Sequence, residues 1–169
     1  MKYLVAILLF ILSIFFTGVL SFNNSGWQML QPFLISTLLV YFNTKNQWLY
    51  YGYALLAGLY VDSLTGVFGL HAAIFISIIF LLFILQATIL TSKNILAIII
   101  LSAFSLVFYW LVFWLFSLIF DLGLYIFHKP LFIFMMRTFF VNILIVIFLH
   151  LLYYNLWQKK RDYGEKQSF

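Results

Sequence analysis

The length, composition and charge of this chain exclude an ordinary soluble domain. Of its 169 residues, 66% are hydrophobic and only 8% are charged, and the net charge is +5. This small number of charged side chains cannot cover the surface of a soluble fold of this size. We therefore expect lipid to cover the outside. The basic residues lie mainly between apolar runs and near the C-terminus, which favours a role in membrane topology over nucleic-acid binding.

The apolar runs predict an all-α membrane protein with about six transmembrane helices in residues 1–157. The first run, Tyr3–Phe22, follows Lys2 and is long enough to cross a hydrocarbon core of about 30 Å. It exceeds the roughly 7 to 15 apolar residues of a signal peptide, so we expect a retained helix, with a cleaved signal peptide as the alternative.

Two shorter runs follow, Pro32–Phe42 and Trp48–Val61. A helix of about 14 residues reaches only about 21 Å at 1.5 Å per residue. Residues 32–61 are therefore expected to form either two short spans, helped by bilayer thinning or flanking residues, or a re-entrant pair. The remaining three runs are each long enough to span: Leu70–Leu90, Ile95–Phe120 and Leu131–Trp157.

The positive-inside rule predicts that both termini lie in the cytoplasm. With six spans and a cytoplasmic N-terminus, Lys2, Lys45, Lys93 and the four basic residues of the tail 158–169 face the cytoplasm, whereas Lys129 faces outside. A re-entrant pair would leave this sidedness unchanged, because it removes two spans. Residues 158–169 are accordingly expected to be a short basic cytoplasmic tail.

The segment after the third run stands out from its apolar surroundings because it holds Asp62, the only acidic residue in the first 120 positions. Gly58, Asp62 and Gly66 are spaced i, i+4, i+8, so a continuous helix would present them as one small-sided stripe to another helix. Alternatively, the helix ends near Asp62. Asp62 or Ser63 would then cap the next helix, and Gly66 and Gly69 would form the turn.

Asp62 is predicted to pair with Arg137 inside the bundle. Measured along their spans, both residues lie about 9 Å below the outer edge of the hydrocarbon core. An unpaired charge at that depth would cost several kcal/mol, so we expect the two to compensate one another, with Asn142 nearby. The alternatives are that Asp62 faces water at a helix end and that Arg137 snorkels to the outer interface.

The same segment resembles the MreD family of bacterial rod-shape proteins. That family shows a Gly-Leu-x-x-Asp stretch, then Gly, then Gly-Leu-His-Ala, which matches Gly58, Leu59, Asp62, Gly66, Gly69, Leu70, His71 and Ala72. The chain length, the proline that opens the second run and the short basic tail are also similar. In the family an arginine often precedes that proline, whereas this chain has Gln31.

The resemblance implies a six-helix fold like that of the substrate-binding subunits of energy-coupling-factor transporters. It also implies a non-catalytic subunit of the cell-elongation complex in the bacterial inner membrane, with MreC as a partner and RodA, a class B penicillin-binding protein and MreB as associates. Gly58, Asp62, Gly66, Gly69 and His71 would form its partner-binding or structural motif. The implied fold raises one alternative, a small-molecule-binding membrane subunit of a transporter.

Neither catalysis nor a cofactor is predicted by the polar residues. His71, His128 and His150 lie in different segments, and no metalloprotease, nucleophile-elbow or phosphate-loop motif accompanies them. His71 is best interpreted as a hydrogen-bonding residue at a helix end, and not as a metal ligand, because only one carboxylate is near. We therefore expect no enzyme activity, no cofactor and no metal site. The intramembrane ionisable groups are too few to predict a proton relay.

Overall fold

Six α-helices make up the described part of the protein. The structure, a computed structural model, describes residues 2–22, 30–67, 69–88, 95–119 and 129–153. The helices are α1 (Lys2–Phe22), α2 (Pro32–Asn43), α3 (Gln47–Thr65), α4 (Leu70–Thr88), α5 (Ile95–Ile119) and α6 (Lys129–Tyr153). Each helix coincides with one predicted apolar run, so the all-α prediction is confirmed for these residues. The predicted tail 158–169, Lys93 and His128 lie outside the described residues.

The exterior of the helices is apolar, whereas several buried side chains are polar. Leu144, for example, is 65% exposed, and large apolar side chains on α1, α4, α5 and α6 are similarly open. The buried polar residues include Ser13, Ser36, Thr37, Asp62, His71, Ser102, Ser105, Thr138 and Asn142. This distribution is the reverse of that in a soluble protein, and it indicates a lipid-covered exterior.

Within the described ranges, four helices are long and apolar enough to cross a membrane: α1, α4, α5 and α6. α2 has 12 residues and α3 has 19. α2 is too short to cross, since 12 residues reach only about 18 Å. α3 is less apolar than the other long helices because it contains tyrosines, glycines and Asp62. The prediction of about six spans is thus confirmed only as six helices, four of which qualify by length and composition.

Two contacts bring both ends of the described chain to one end of the bundle. Asn46, which precedes α3, donates a hydrogen bond from its Nδ2 to the Tyr3 hydroxyl at the start of α1, at 3.2 Å. The ring of Phe42 in α2 lies 6.3 Å from the ring of His150 near the end of α6. We call this the Tyr3 end. The opposite end contains the connection between α3 and α4, and we call it the Asp62 end.

α2 is a half-length helix that begins halfway through the bundle. Residues Phe33–Phe42 are all buried, and α2 packs against α1, α3, α4 and α6. The Ser13 hydroxyl, which donates to the Leu9 carbonyl at 2.8 Å, also lies 3.3 Å from the Pro32 carbonyl, and Asn142 accepts from the Gln31 N–H at 3.0 Å. These two partners lie about 17 Å along α1 and about 20 Å along α6, the middle of each helix. Residues 32–61 therefore contain one buried half-length helix, α2, and most of a longer one, α3.

Candidate functional site at the corner between α3 and α4

Two glycines form the turn that connects α3 to α4. α3 continues to Thr65, and Gly66 ends it with φ of 75° while donating its N–H to the Asp62 carbonyl at 2.9 Å. Gly69, next to the start of α4, has φ of 87°. Residues with a side chain rarely adopt these left-handed conformations. The predicted turn glycines are confirmed, although the helix ends at Thr65 and not near Asp62.

The Asp62 carboxylate caps α4 from the preceding helix. Its side chain is fully enclosed, with 1% of the residue exposed. It accepts backbone hydrogen bonds from Gly69 at 3.0 Å, from His71 at 2.7 Å and from Ala72 at 3.2 Å. The first N–H groups of a helix have no partner within the helix, and a negative charge is stabilised next to them. Asp62 therefore satisfies the start of α4 in a region that water does not reach.

His71 completes this cap and links it to α5. Its Nδ1 lies 2.9 Å from Asp62 Oδ1, and both side chains are buried. An ionised carboxylate can only accept, so Nδ1 carries the proton and donates it to this bond. The imidazole ring lies 5.6 Å from the Phe113 ring and 6.3 Å from the Tyr109 ring, both on α5. The interpretation of His71 as a hydrogen-bonding residue at a helix end is confirmed.

Gly58 allows α3 and α4 to touch at the same point. A Cβ atom on Gly58 would lie 2.3 Å from the Ala72 Cα and 2.5 Å from the Ala72 nitrogen. These are backbone atoms, so they cannot rotate away as a side chain can. The close approach brings Asp62, one turn after Gly58, next to the first turn of α4. The two helices have the most extensive contact in the described bundle.

Arg137 is not a partner of Asp62. Among the described residues, the side-chain partner of Asp62 is His71, and Arg137 is exposed on α6. The predicted pair is not formed because four N–H donors at the start of α4 already satisfy the carboxylate, which therefore needs no cation. The matching depths of the two residues carried no information about which face of α6 holds Arg137.

Asn142 has a different role from the predicted one beside Asp62 and Arg137. It is fully buried, its Oδ1 accepts from the Gln31 N–H, and its Nδ2 donates to the Thr138 carbonyl at 2.6 Å. It thereby holds the chain at the start of α2. A polar residue within an apolar run signals a buried partner, and Pro32 signals a helix start. The sequence does not show that the two meet.

Comparisons with known proteins supply no relative for this chain. No protein-family model, no curated protein and no solved structure matches it.

Proposed function

We propose that this chain is a membrane scaffold of the MreD type, a non-catalytic subunit of the bacterial cell-elongation complex that binds MreC in the inner membrane. The observation that carries the proposal is that the residues of the family-like motif build one structural unit. Gly58 permits the helix contact, Asp62 and His71 cap α4, and Gly66 and Gly69 form the turn. A motif used in this way holds one end of the bundle in a defined shape, as a scaffold requires.

The edge of the corner supplies a surface that a partner can contact. Ser63, Leu64, Thr65 and Gly66 are all exposed, and Leu64 is 56% exposed. They follow Asp62 directly, so the capped turn keeps their backbone in place. Helices associate in lipid by close packing and shape more than by a hydrophobic driving force. A rigid edge with one apolar side chain suits the transmembrane helix of a single-span partner.

The orientation follows from the distribution of basic residues. Lys45 is exposed in the connection between α2 and α3, at the Tyr3 end. We assign this end to the cytoplasm under the positive-inside rule, which assigns the Asp62 end to the periplasmic face. MreC would then contact the periplasmic end of the scaffold. RodA and a class B penicillin-binding protein would join the same membrane complex, with MreB on the cytoplasmic side.

Affinity purification from detergent-solubilised bacterial membranes tests both the function and the surface. The wild-type chain should co-purify MreC, identified by mass spectrometry. Leu64→Trp should lower the yield of MreC about fivefold, which corresponds to about 1 kcal/mol. Leu56→Trp is the matched control, since Leu56 is 60% exposed on the same helix away from the corner. Absence of MreC from the wild-type sample would refute the function, whereas equal yields from the two variants would refute only the surface.

The alternative of a small-molecule-binding transporter subunit has less support. Such a subunit needs a concave site with a few polar groups directed into it. Asp62, His71 and Arg137 are the polar side chains from which such a site would have to be built. The first two are buried and bonded to the start of α4, and Arg137 lies exposed on α6.

A further inference from the structure

One face of α6 is left open by the rest of the bundle. α6 packs against α2 and α5. Exposed side chains recur on it every three or four residues, so they form one continuous stripe along the helix, with the exposed Met136 and Leu152 beside it. We call this stripe the α6 seam, and it consists of Ile133, Arg137, Phe140, Leu144, Phe148 and Leu151.

The spacing within the seam is that of a helix-packing surface. The steps along it are four, three, four, four and three residues, which average one helical turn and keep the side chains on one face. The seam extends over 18 helical steps from its first member to its last, which is about 27 Å and close to the length of a membrane-spanning helix. A second helix can therefore lie along its whole length.

Arg137 interrupts this apolar seam with a positive charge. It lies about 12 Å along α6 from the start of the helix, between Ile133 and Phe140. Within the described ranges Asp62 is the one carboxylate, and it is enclosed at the corner with His71. A charged side chain facing lipid at that depth is costly, and such residues are usually paired. The described part of the chain offers Arg137 no anion.

We propose that the α6 seam is a docking site for a transmembrane helix of another protein, one that carries a carboxylate level with Arg137. The apolar side chains of the seam would pack along the partner helix, while Arg137 and the carboxylate would form a charge-assisted pair in lipid. A single charge within an apolar seam also sets the register of the two helices.

A second copy of this chain does not fit the seam. Two copies in one membrane share their orientation, so a symmetric α6 dimer would bring Arg137 against Arg137. Like charges at one level of a packed seam repel, which disfavours that dimer. The partner is therefore a different protein. This inference does not depend on the proposed membership of the elongation complex.

Binding of a synthetic helix in vesicles tests the inference. The full chain, labelled at a cysteine introduced by Ser168→Cys, is reconstituted into phosphatidylethanolamine and phosphatidylglycerol vesicles. The label is specific because the chain has no other cysteine. The probe is a leucine-rich transmembrane peptide with the spacing of the seam and one Glu level with Arg137, and the control peptide carries Gln instead. Energy transfer between the label on the chain and a label on the peptide should show that the Glu peptide binds about tenfold more tightly than the Gln peptide.

Variants then assign that preference to the seam. Arg137→Gln should abolish the preference for Glu, and Arg137→Glu should bind a peptide that carries Arg in place of Glu. Leu111→Gln, a polar change on the exposed face of α5, should leave the preference unchanged.

Four results would overturn the inference. Equal binding of the two peptides by the wild-type chain would do so, and so would a preference that survives Arg137→Gln. If the preference appears only in an Asp121→Asn variant, Arg137 is satisfied within the chain by Asp121, which lies outside the described residues. If spin-labelled phosphatidylglycerol is immobilised by the wild-type chain but not by Arg137→Gln, while the peptides bind equally, the surface contacts lipid and not a helix.

Discussion

The contact between Gly58 and α4 gives the sharpest test of the structure, through the substitution Gly58→Ala. The added methyl group would lie 2.3 Å from the Ala72 Cα, 2.5 Å from the Ala72 nitrogen and 2.8 Å from the His71 carbonyl carbon. Ordinary contacts between carbon atoms are about 3.5 to 4.0 Å. The start of α4 must therefore move away from α3 by more than about 1 Å, because all three atoms belong to the backbone.

Three contributions set the expected size of the effect. Overpacking of this kind costs about 1 to 3 kcal/mol. Displacement of α4 also stretches the hydrogen bonds from the His71 and Ala72 N–H groups to Asp62, which are 2.7 and 3.2 Å long. Their partial loss costs a further ~1.5 to 3 kcal/mol, because the acceptor is charged. The higher helix propensity of alanine offsets about 1 kcal/mol, so Gly58→Ala should lower the free energy of unfolding by about 1.5 to 5 kcal/mol.

Gly52→Ala is the matched control, because it makes the same change on the same helix. A Cβ atom on Gly52 meets nothing within 4 Å. That substitution should raise the free energy of unfolding by about 0.5 to 1 kcal/mol through helix propensity alone. The assay is titration of dodecyl maltoside micelles with sodium dodecyl sulfate, followed by tryptophan fluorescence. The close approach of α3 to α4 is refuted if both variants are as stable as the wild type or shift in the same direction.

The other stability predictions concern the caps of α4 and α2 and use the same titration. Asp62→Asn keeps the shape of the side chain, but its amide nitrogen cannot accept, so two of four buried N–H donors lose their acceptor at a cost of about 2 to 6 kcal/mol. Ser63→Ala, at the exposed neighbouring position, should change stability by less than about 0.5 kcal/mol, and equal effects of the two variants would contradict the cap. Asn142→Leu should cost about 1 to 3 kcal/mol by leaving the Gln31 N–H without an acceptor in mid-bundle. It should also speed hydrogen exchange at that amide; unchanged exchange would contradict the contact. Ser13→Ala should cost less, since the Ser13 hydroxyl is closer to the Leu9 carbonyl of its own helix, at 2.8 Å, than to the start of α2, at 3.3 Å.

The sequence predicted the number and the positions of the helices because each apolar run is bounded by polar or glycine residues. It also indicated the corner, since Asp62, Gly66 and Gly69 combine a capping residue with two residues that tolerate left-handed backbone. These signals depend only on residues that are close in sequence, so they can be recognised without knowledge of the fold. The spacing of Gly58, Asp62 and Gly66 alone did not decide whether they form a stripe on one continuous helix or lie at a turn between two helices.

The position of Arg137 could not be predicted for a physical reason. A surface helix of a soluble protein shows its buried face as a periodic apolar stripe. α6 is apolar on nearly all sides, because lipid accepts the same side chains as the protein interior. Depth along the membrane could be read from the sequence, but the direction in which each side chain points could not. The pairing of Arg137 with Asp62 was therefore inferred from depth alone, and it was wrong.

The half-length helix α2 explains why the polar groups of this protein are inside and the surface left for partners is almost wholly apolar. A helix that starts in mid-membrane exposes N–H groups that lipid cannot satisfy, so it must be enclosed by protein and supplied with acceptors. Asn142 supplies one such acceptor, and α1 and α6 enclose the helix on either side. Enclosing α2 in this way turns the opposite faces of α1 and α6 towards lipid. Recognition on those faces must depend on shape and on rare charges, and Arg137 is the charge that the described part of α6 presents there.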